Sequence, residues 1–288
     1  MKALLLLDNK INLSKKQLKK LSKYEVRHYN MQEKELELWQ KAKVILLHSK
    51  LSDERIEQLD ECNYIGIRAH NLDYVNQALV AQKNIMLKGI SPVGQQAVAE
   101  HTFALIFAVA KQLKKSQNNL ENNLWREGLG FNFQLYGKTL GIVGNGAIGQ
   151  AIAKMAKAFG LKVLIAQRET VDEVLKLSDI VSLHIPSNAQ NKNFIDQEKL
   201  ALLKPSAILI NTSRGDILDY NALDILLQSK RLAGVGLDVF PTEPSLNLEL
   251  LNHKNVVVTP HVAFNTSETV EEMNEALVEC LLEVIRIN

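Results

Sequence analysis

An apolar run, Thr139–Val143, leads straight into Gly144-Asn145-Gly146-Ala147-Ile148-Gly149, and a helical pattern rich in alanine, Ala147–Phe159, follows. Nothing else in the chain restricts its fold as strongly. Gly144, Gly146 and Gly149 stand at the spacing G-x-G-x-x-G. That spacing is weak alone and informative when it follows a strand and opens a helix. In that setting the first glycine turns the chain, the second lets a pyrophosphate approach the backbone, and the third lets helix and strand lie close. The helix start adds free N–H groups and the positive end of its dipole, a place for phosphate oxygens. The expectation is a parallel α/β sheet that binds a dinucleotide through Gly144, Gly146, Ala147, Ile148 and Gly149.

The next strand of that unit, Lys162–Ala166, ends in Gln167-Arg168. A site for an unphosphorylated ribose carries Asp or Glu about 20 residues after the glycines. Gln167 stands at that position. A neutral amide does not repel a 2′-phosphate, and a guanidinium pairs with one. Gln167 and Arg168 together predict NADP(H) as the favoured cofactor, with NAD(H) possible.

Strand and helix patterns alternate along the rest of the chain. Ala3–Leu7, Val44–Leu47 and Tyr64–Ile67 read as buried strands, with helices at Leu13–Leu21, Gln32–Trp39 and Asp53–Leu59. A single long helix is expected over 95–117, apolar nearly all round at Phe103–Ala110 and so buried, either against both halves of the chain or against a second subunit. After Thr139–Val143 and Lys162–Ala166, further strands fall at Ile180–His184, Ala207–Asn211, Gly234–Asp238 and Val256–Thr259. An amphipathic helix, Ser267–Ile287, ends the chain, opened by an Asn265-x-x-Glu268 cap signal. The fold class is α/β with parallel sheets.

Charge excludes some partners. The 288 residues carry 34 Lys and Arg against 32 Asp and Glu, a formal charge of +2. A dedicated nucleic-acid binder shows a basic excess, and the lysine string Lys15, Lys16, Lys19 and Lys20 reads as a solvated helix face. Two cysteines, Cys62 and Cys280, build no disulfide framework and point to a reducing compartment. The N-terminal apolar run is too short for a signal peptide, and no run approaches bilayer length. A cytoplasmic protein without a membrane or nucleic-acid partner is expected. No His, Cys, Asp or Glu pair has metal-ligand spacing, so no metal is expected.

Polar groups cluster just past the strand ends, where open α/β sheets place their ligands. Thr212-Ser213-Arg214 follows one strand, Asp238-Val239-Phe240-Pro241-Thr242-Glu243 another, and Pro260-His261 a third. Arg214 suits a carboxylate and its neighbouring carbonyl oxygen. His261 suits proton transfer to that oxygen, and Glu243 suits orienting His261. Together these groups point to hydride chemistry on a 2-oxo or 2-hydroxy acid.

With the glycine fingerprint, Ile210-Asn211-Thr212-Ser213-Arg214-Gly215, Gly236-Leu237-Asp238-Val239-Phe240-x-x-Glu243-Pro244 and Thr259-Pro260-His261, the chain resembles the D-isomer-specific 2-hydroxyacid dehydrogenases. Supporting matches are Ala97–Thr102, Val181–Pro186 and Leu203-Lys204-Pro205. The resemblance covers about 90–265 strongly and the N-terminal part loosely. It implies two doubly wound parallel-sheet domains, a Rossmann cofactor domain at 93–265 inserted in a flavodoxin-like substrate domain at 1–92 plus 266–288. It implies an Arg214–Glu243–His261 catalytic set and contact of Asp238 with the nicotinamide carboxamide. It places His184, Pro186, Thr212 and Ser213 with Gln167 and Arg168 along the cofactor. It also implies a homodimer built on the cofactor domain, which would account for the apolar Phe103–Ala110.

One further departure concerns the substrate. Relatives carry a glycine-containing turn before Asn-x-Asp, whose N–H groups hold the substrate carboxylate. Here the segment is Ile67-Arg68-Ala69-His70-Asn71-Leu72-Asp73, without glycine and about two residues shorter. Arg68, Ala69 and His70 are the candidate substrate contacts. The leading expectation is an NAD(P)-dependent reductase of a small 2-oxo acid of glyoxylate, hydroxypyruvate or pyruvate type. The alternatives are a 3-phosphoglycerate dehydrogenase-like enzyme and a non-catalytic dinucleotide-sensing corepressor-like protein.

Overall fold

The computed structural model describes residues 2–30, 35–244 and 249–287. The chain divides into two compact units, Met1–Gly94 with Thr266–Asn288, and Gln95–Asn265. The first unit contains β1 (Ala3–Asp8), β2 (Tyr24–Tyr29), β3 (Ala42–Leu47), β4 (Tyr64–Ile67) and β5 (Met86–Gly89). They form one all-parallel sheet in the order β2-β1-β3-β4-β5. Sheet growth reverses between β1 and β3, the flavodoxin-like switch point. Leu6, Ile45, Leu47, Ile65 and Ile67 are buried within one cluster with Trp39, Ile56 and Val80 from the covering helices.

Sequence patterning misses β2 and β5, and both are outer strands. Tyr24-Glu25-Val26-Arg27-His28-Tyr29 mixes charge with apolar groups, and Met86-Leu87-Lys88-Gly89 is short with its apolar ends partly exposed. Edge strands of this kind lack the fully apolar signature of strands buried on both faces. The expected helix Gln32–Trp39 is observed as Leu36–Gln40, and residues 32–34 lie outside the described residues. The helix Lys15–Lys20 starts from a capping box between Ser14 and Gln17. Its lysine face is not wholly solvated: Lys20 pairs with Glu275 and Glu279 of the terminal helix. That helix, Ser267–Ile287, is capped by the Thr266 hydroxyl, which accepts the Thr269 N–H at 3.2 Å, rather than by Asn265.

The second unit contains β6 (Thr139–Val143), β7 (Lys162–Ala166), β8 (Ile180–Leu183), β9 (Ile208–Asn211), β10 (Gly234–Leu237) and β11 (Val256–Val258). All pairings are parallel, in the order β11-β10-β9-β8-β6-β7. The switch point lies between β6 and β8. The widespread dinucleotide-binding order places two strands beyond the first on that side. Here only β7 does, so the strand that leads into Gln167 is the sheet edge.

The long helical pattern resolves into two helices, Gln95–Ala110 and Leu113–Glu121, broken where Gln112 takes φ +52°. The first is buried largely within its own unit, while Ala104 stays exposed and Phe107 and Ala108 half-buried. Phe103, Leu105, Ile106 and Val109 pack in its own unit with Leu140, Ile142, Ile152 and Ile210. Each such side chain contributes roughly 1.5–3 kcal/mol on burial. Gly234 and Gly236 of β10 present no side chain to this helix, and a Cβ on either would crowd Val109 or Leu105. Among the described residues no helix is long and apolar enough to cross a membrane.

Candidate active site

The glycine loop follows from sterics at three positions. Gly144 turns the chain at φ +117°, where a Cβ would overlap the His184 carbonyl just past β8. Helix Ala147–Ala158 starts from Gly146, which offers no side-chain cap, and the space where its Cβ would stand is open. A Cβ on Gly149 would overlap the Gly144 carbonyl oxygen, so the helix crosses the strand end at a separation only glycine permits. Uncapped first-turn N–H groups, those of Ala147 and Ile148 first, beside an open cradle fit a dinucleotide pyrophosphate.

At the sheet edge, the Gln167 N–H donates to Thr170 Oγ1 at 3.0 Å, and the Thr170 hydroxyl donates back to the Gln167 carbonyl at 3.3 Å. Gln167 and Arg168 are exposed. The Arg168 guanidinium stacks over Phe194, 5.2 Å from the ring centroid, and donates to Asn191 Oδ1 at 3.4 Å and to the Gln190 carbonyl at 3.3 Å. Asn191 in turn donates to the Pro186 carbonyl at 2.9 Å.

His184 lies where β8 meets the glycine loop. Its Nε2 is 2.6 Å from the Ser182 hydroxyl, and its Nδ1 is buried without a hydrogen-bond partner. Burial pushes the imidazole down to about 3, so the folded state holds it neutral. A group depressed in this way stabilises the fold above its unfolded value and loses that contribution as pH falls toward the folded one. Melting temperature is therefore expected to fall as pH drops from 6.5 toward 4. The fall should be shallower in His184→Asn when followed by circular dichroism. A variant as acid-labile as the parent would remove His184 as the cause.

The carboxyl edges of β9, β10 and β11 carry the proposed catalytic groups. Asn211 is buried and organises the first loop: its Oδ1 accepts from the Ser213 N–H at 3.0 Å and the Ser213 hydroxyl at 2.9 Å, and its Nδ2 donates to the Arg214 carbonyl at 2.9 Å. Arg214 donates from Nη1 to the Ser213 carbonyl at 2.7 Å. A Cβ on Gly215 would overlap the Phe240 carbonyl group, so the Arg214 loop lies directly against the loop bearing Glu243. Glu243 Oε1 accepts from the Phe240 N–H at 2.8 Å, and its Oε2 lies 2.5 Å from His261 Nδ1. His261 Nε2 is left without a partner among the described residues. The structure thus joins His261 to Glu243 directly and brings Arg214 alongside through the loop contact.

Asp238 lies just past β10. It is fully buried, and its Oδ1 accepts from the Thr259 hydroxyl at 2.5 Å and the Val262 N–H at 2.9 Å. Its Oδ2 accepts from the Ala263 N–H at 2.9 Å. Between those donors and β11 sits His261 at φ +55°, a left-handed conformation uncommon for a non-glycine residue. Its N–H donates to the Asp238 carbonyl at 2.8 Å. The carboxylate therefore holds the turn that presents the imidazole.

Sequence reading assigned no role to the Thr259 and Thr102 hydroxyls that support this edge. Thr259 also lies 2.9 Å from His101 Nε2, and the buried Thr212 hydroxyl pairs with that of Thr102 at 2.9 Å. A usable signal was present: Asn211, Asp238 and Thr259 are polar residues closing apolar strands. Among the described residues no group of three or more His, Cys, Asp or Glu is placed to hold a metal ion.

In the first unit, Arg68 is only 4% exposed and donates from Nη1 to Asn274 Oδ1 at 2.9 Å on the terminal helix. Asn274 also donates to the Asn12 carbonyl at 2.8 Å. That arrangement ties Arg68 to the terminal helix inside the first unit, with its Nε buried and without a hydrogen-bond partner. The Ala69 carbonyl accepts the Ile90 N–H at 3.0 Å, and the exposed His70 has Nδ1 3.4 Å from the Ile90 carbonyl.

The model of the D-isomer specific 2-hydroxyacid dehydrogenase NAD binding domain matches residues 103–263. A glyoxylate reductase from Thermococcus litoralis is 36% identical over 84% of this chain and 79% of its own length. An acyclic imino acid reductase, solved in complex with NADPH and D-Arg, superposes with a TM-score of 0.87 at 28% identity over 99% of this chain and 97% of that one. A D-lactate dehydrogenase from Aquifex aeolicus, complexed with NAD and lactic acid, gives 0.83 at 28% identity over 98% and 95%.

Proposed function

The chain belongs to the D-isomer specific 2-hydroxyacid dehydrogenase family, and from that premise we propose that it is an NAD(P)-dependent enzyme interconverting a small 2-oxo acid and its D-2-hydroxy acid. Substrates of glyoxylate, hydroxypyruvate or pyruvate type fit best. The observation that carries this reading is the His261–Glu243 pair at 2.5 Å, set beside the Arg214 loop on the same sheet edge. A dinucleotide-sensing protein without turnover has no need of such a pair.

The cofactor, when bound, supplies or accepts the hydride. The first-turn N–H groups after Gly146 hold its pyrophosphate, and Gln167 and Arg168 meet the adenosine ribose. The backbone past β8 (His184, Pro186) and past β9 (Thr212, Ser213) lines its remaining length. Arg214 leaves the Ser213 carbonyl to bind the substrate carboxylate and carbonyl oxygen with its planar fork. His261 delivers a proton from Nε2 to that oxygen in reduction and removes it in oxidation. Glu243, fixed on the Phe240 N–H, keeps the ring in that orientation. We assign Asp238 to holding the His261 turn. Direct substrate contact in the first unit falls to His70 and the backbone around Ala69, with Arg68 as their support.

NADP(H) is favoured over NAD(H) in this reading. A neutral Gln167 follows β7, and Arg168 forms no ion pair among the described residues. The test is nicotinamide absorbance with glyoxylate, hydroxypyruvate and pyruvate, each with NADPH and NADH. Turnover with none of them, beside tight cofactor binding, would favour the sensor. A strong preference for NADH would reverse the cofactor assignment.

The proposed assembly is a homodimer through the cofactor-binding unit, in the cytoplasm, where the free thiols Cys62 and Cys280 stay reduced. Support comes from apolar side chains left in solvent just past the buried helix: Leu113, Leu120, Leu124, Trp125, Phe131 and Tyr136. Trp125 is 67% exposed and Phe131 wholly so. Single exposed apolar residues are ordinary, whereas a contiguous run marks an interface. Trp125→Glu with Phe131→Glu is expected to give a monomer by light scattering where the parent is a dimer. A parent that is already monomeric would remove the assignment.

A further inference from the structure

Arg168 is docked by neutral groups alone. One face of its guanidinium lies on the Phe194 ring, and its two hydrogen bonds end on an amide oxygen and a backbone carbonyl. No carboxylate neutralises it among the described residues. Both hydrogen bonds are long, 3.3 and 3.4 Å, so they orient the fork without saturating it. The same ring carries the Lys199 ammonium at 5.2 Å from its centroid, and that ammonium is paired with Asp196 at 3.7 Å, which leaves Arg168 as the unpaired cation on this ring. The sheet ends at β7, so no further strand covers this corner, and the segment after β8 supplies the docking residues instead. At its other end that segment is fixed to the catalytic side of the unit. Ser187 donates to Asp216 at 2.5 Å, and the Asn193 N–H donates to the Asp216 carbonyl at 2.7 Å.

We propose that Phe194 and Asn191 are specificity-determining positioning residues: they hold Arg168, uncompensated and with its edge free, to receive the phosphate on the adenosine ribose of a 2′-phosphorylated dinucleotide. The inference rests on the reading that Arg168 meets that ribose and adds how it is placed. An arginine loose in solvent spends side-chain entropy when it captures an anion. One already stacked on an aromatic face has spent it beforehand. A carboxylate in place of Phe194 or Asn191 would hold the guanidinium equally well and cancel the charge the phosphate needs. The Gln167–Thr170 turn fixes the backbone from which Arg168 projects, so the placement is set from both ends.

The experiment is calorimetric titration of the cofactor-free protein with 2′,5′-ADP and with 5′-AMP, which differ only in the 2′-phosphate. The parent is expected to bind 2′,5′-ADP more tightly. Phe194→Ala should weaken 2′,5′-ADP about fivefold or more, the scale of a lost cation–π contact, while 5′-AMP stays within about twofold. Phe194→Tyr, which keeps the ring, should restore the difference, and Phe194→Leu should not. Asn191→Asp keeps the shape and adds a competing charge, and should weaken 2′,5′-ADP by roughly tenfold. If Phe194→Ala fails to fold, the Tyr, Leu and Asp variants decide the matter. Equal losses for both ligands would show that the ring serves the adenine, and unchanged binding would show that Arg168 needs no dock. Either result overturns the inference alone. A parent without preference for 2′,5′-ADP, with Arg168→Ala indistinguishable from it, overturns the cofactor reading as well.

Discussion

His261→Gln is expected to lower turnover about 10³-fold, within the range a positioned acid–base group supplies, and to leave cofactor affinity within about twofold. The geometry behind this is specific. Glu243 is anchored on the Phe240 N–H at 2.8 Å and meets His261 Nδ1 at 2.5 Å, so only Nε2 remains to move a proton. Gln offers an amide of similar reach and no titrating proton. Glu243→Gln keeps the shape and replaces the carboxylate that orients the ring with an amide, and a loss of about 10²-fold or more is expected, as for other carboxylates that orient a catalytic histidine. Reduction consumes the proton that His261 holds, so in the parent its rate should fall as pH rises, and oxidation should show the opposite slope. Both slopes should be absent from the residual activity of His261→Gln. Steady-state kinetics with the preferred 2-oxo acid, beside calorimetric cofactor binding, checks each part. A Gln variant that keeps a tenth of parental turnover would refute the acid assignment.

Residues whose chemistry is local were legible in the sequence. The strand–glycine–helix junction at 139–149 announced itself because backbone turning, phosphate access and close packing each demand glycine at its own position. The placement of Arg214, Glu243 and His261 at one edge was legible for a related reason: each follows an apolar strand of one parallel sheet, and such strands deliver their carboxyl ends to one edge. Less was legible where the outcome depends on what a residue meets across space. Phe103–Ala110 left its burying surface open because an all-apolar helix signals burial without saying against what; two side-chain-free positions on β10 show where much of that face packs. Nothing local to Arg68, a cation beside a shortened loop, announces its bond to Asn274 more than two hundred positions later. The edge strands β2 and β5 escaped notice because half-exposed strands carry half the signal.

Asp238→Ala is expected to be the most damaging of the substitutions outside the proton-transfer pair. Its carboxylate is fully buried and serves three donors: the Thr259 hydroxyl and the N–H groups of Val262 and Ala263. Removing it leaves those donors inside the protein without an acceptor. Leaving one such group unsatisfied costs about 1–3 kcal/mol, more when the lost partner is charged. A loss near 3 kcal/mol is expected after partial relaxation, read from urea unfolding of the parent and the variant. Asp238→Asn should lose less, since one oxygen survives, but its amide N–H₂ would face an N–H donor in one orientation or the other. The functional consequence is larger than the stability change. His261 takes φ +55° because the two residues after it are pinned by this carboxylate. Once they are released, the backbone relaxes toward the conformations non-glycine residues prefer, and the imidazole leaves the substrate oxygen. Turnover is expected to fall about 10²-fold, in line with a misplacement of order 1 Å. Binding of ADP-ribose, which lacks the nicotinamide, should be unchanged in either variant. If Asp238 instead touched the nicotinamide carboxamide, the pattern would be different: stability nearly intact, and affinity lost for the complete dinucleotide relative to ADP-ribose. Unfolding and titration of the same two variants separate a carboxylate that shapes the histidine turn from one that holds the cofactor.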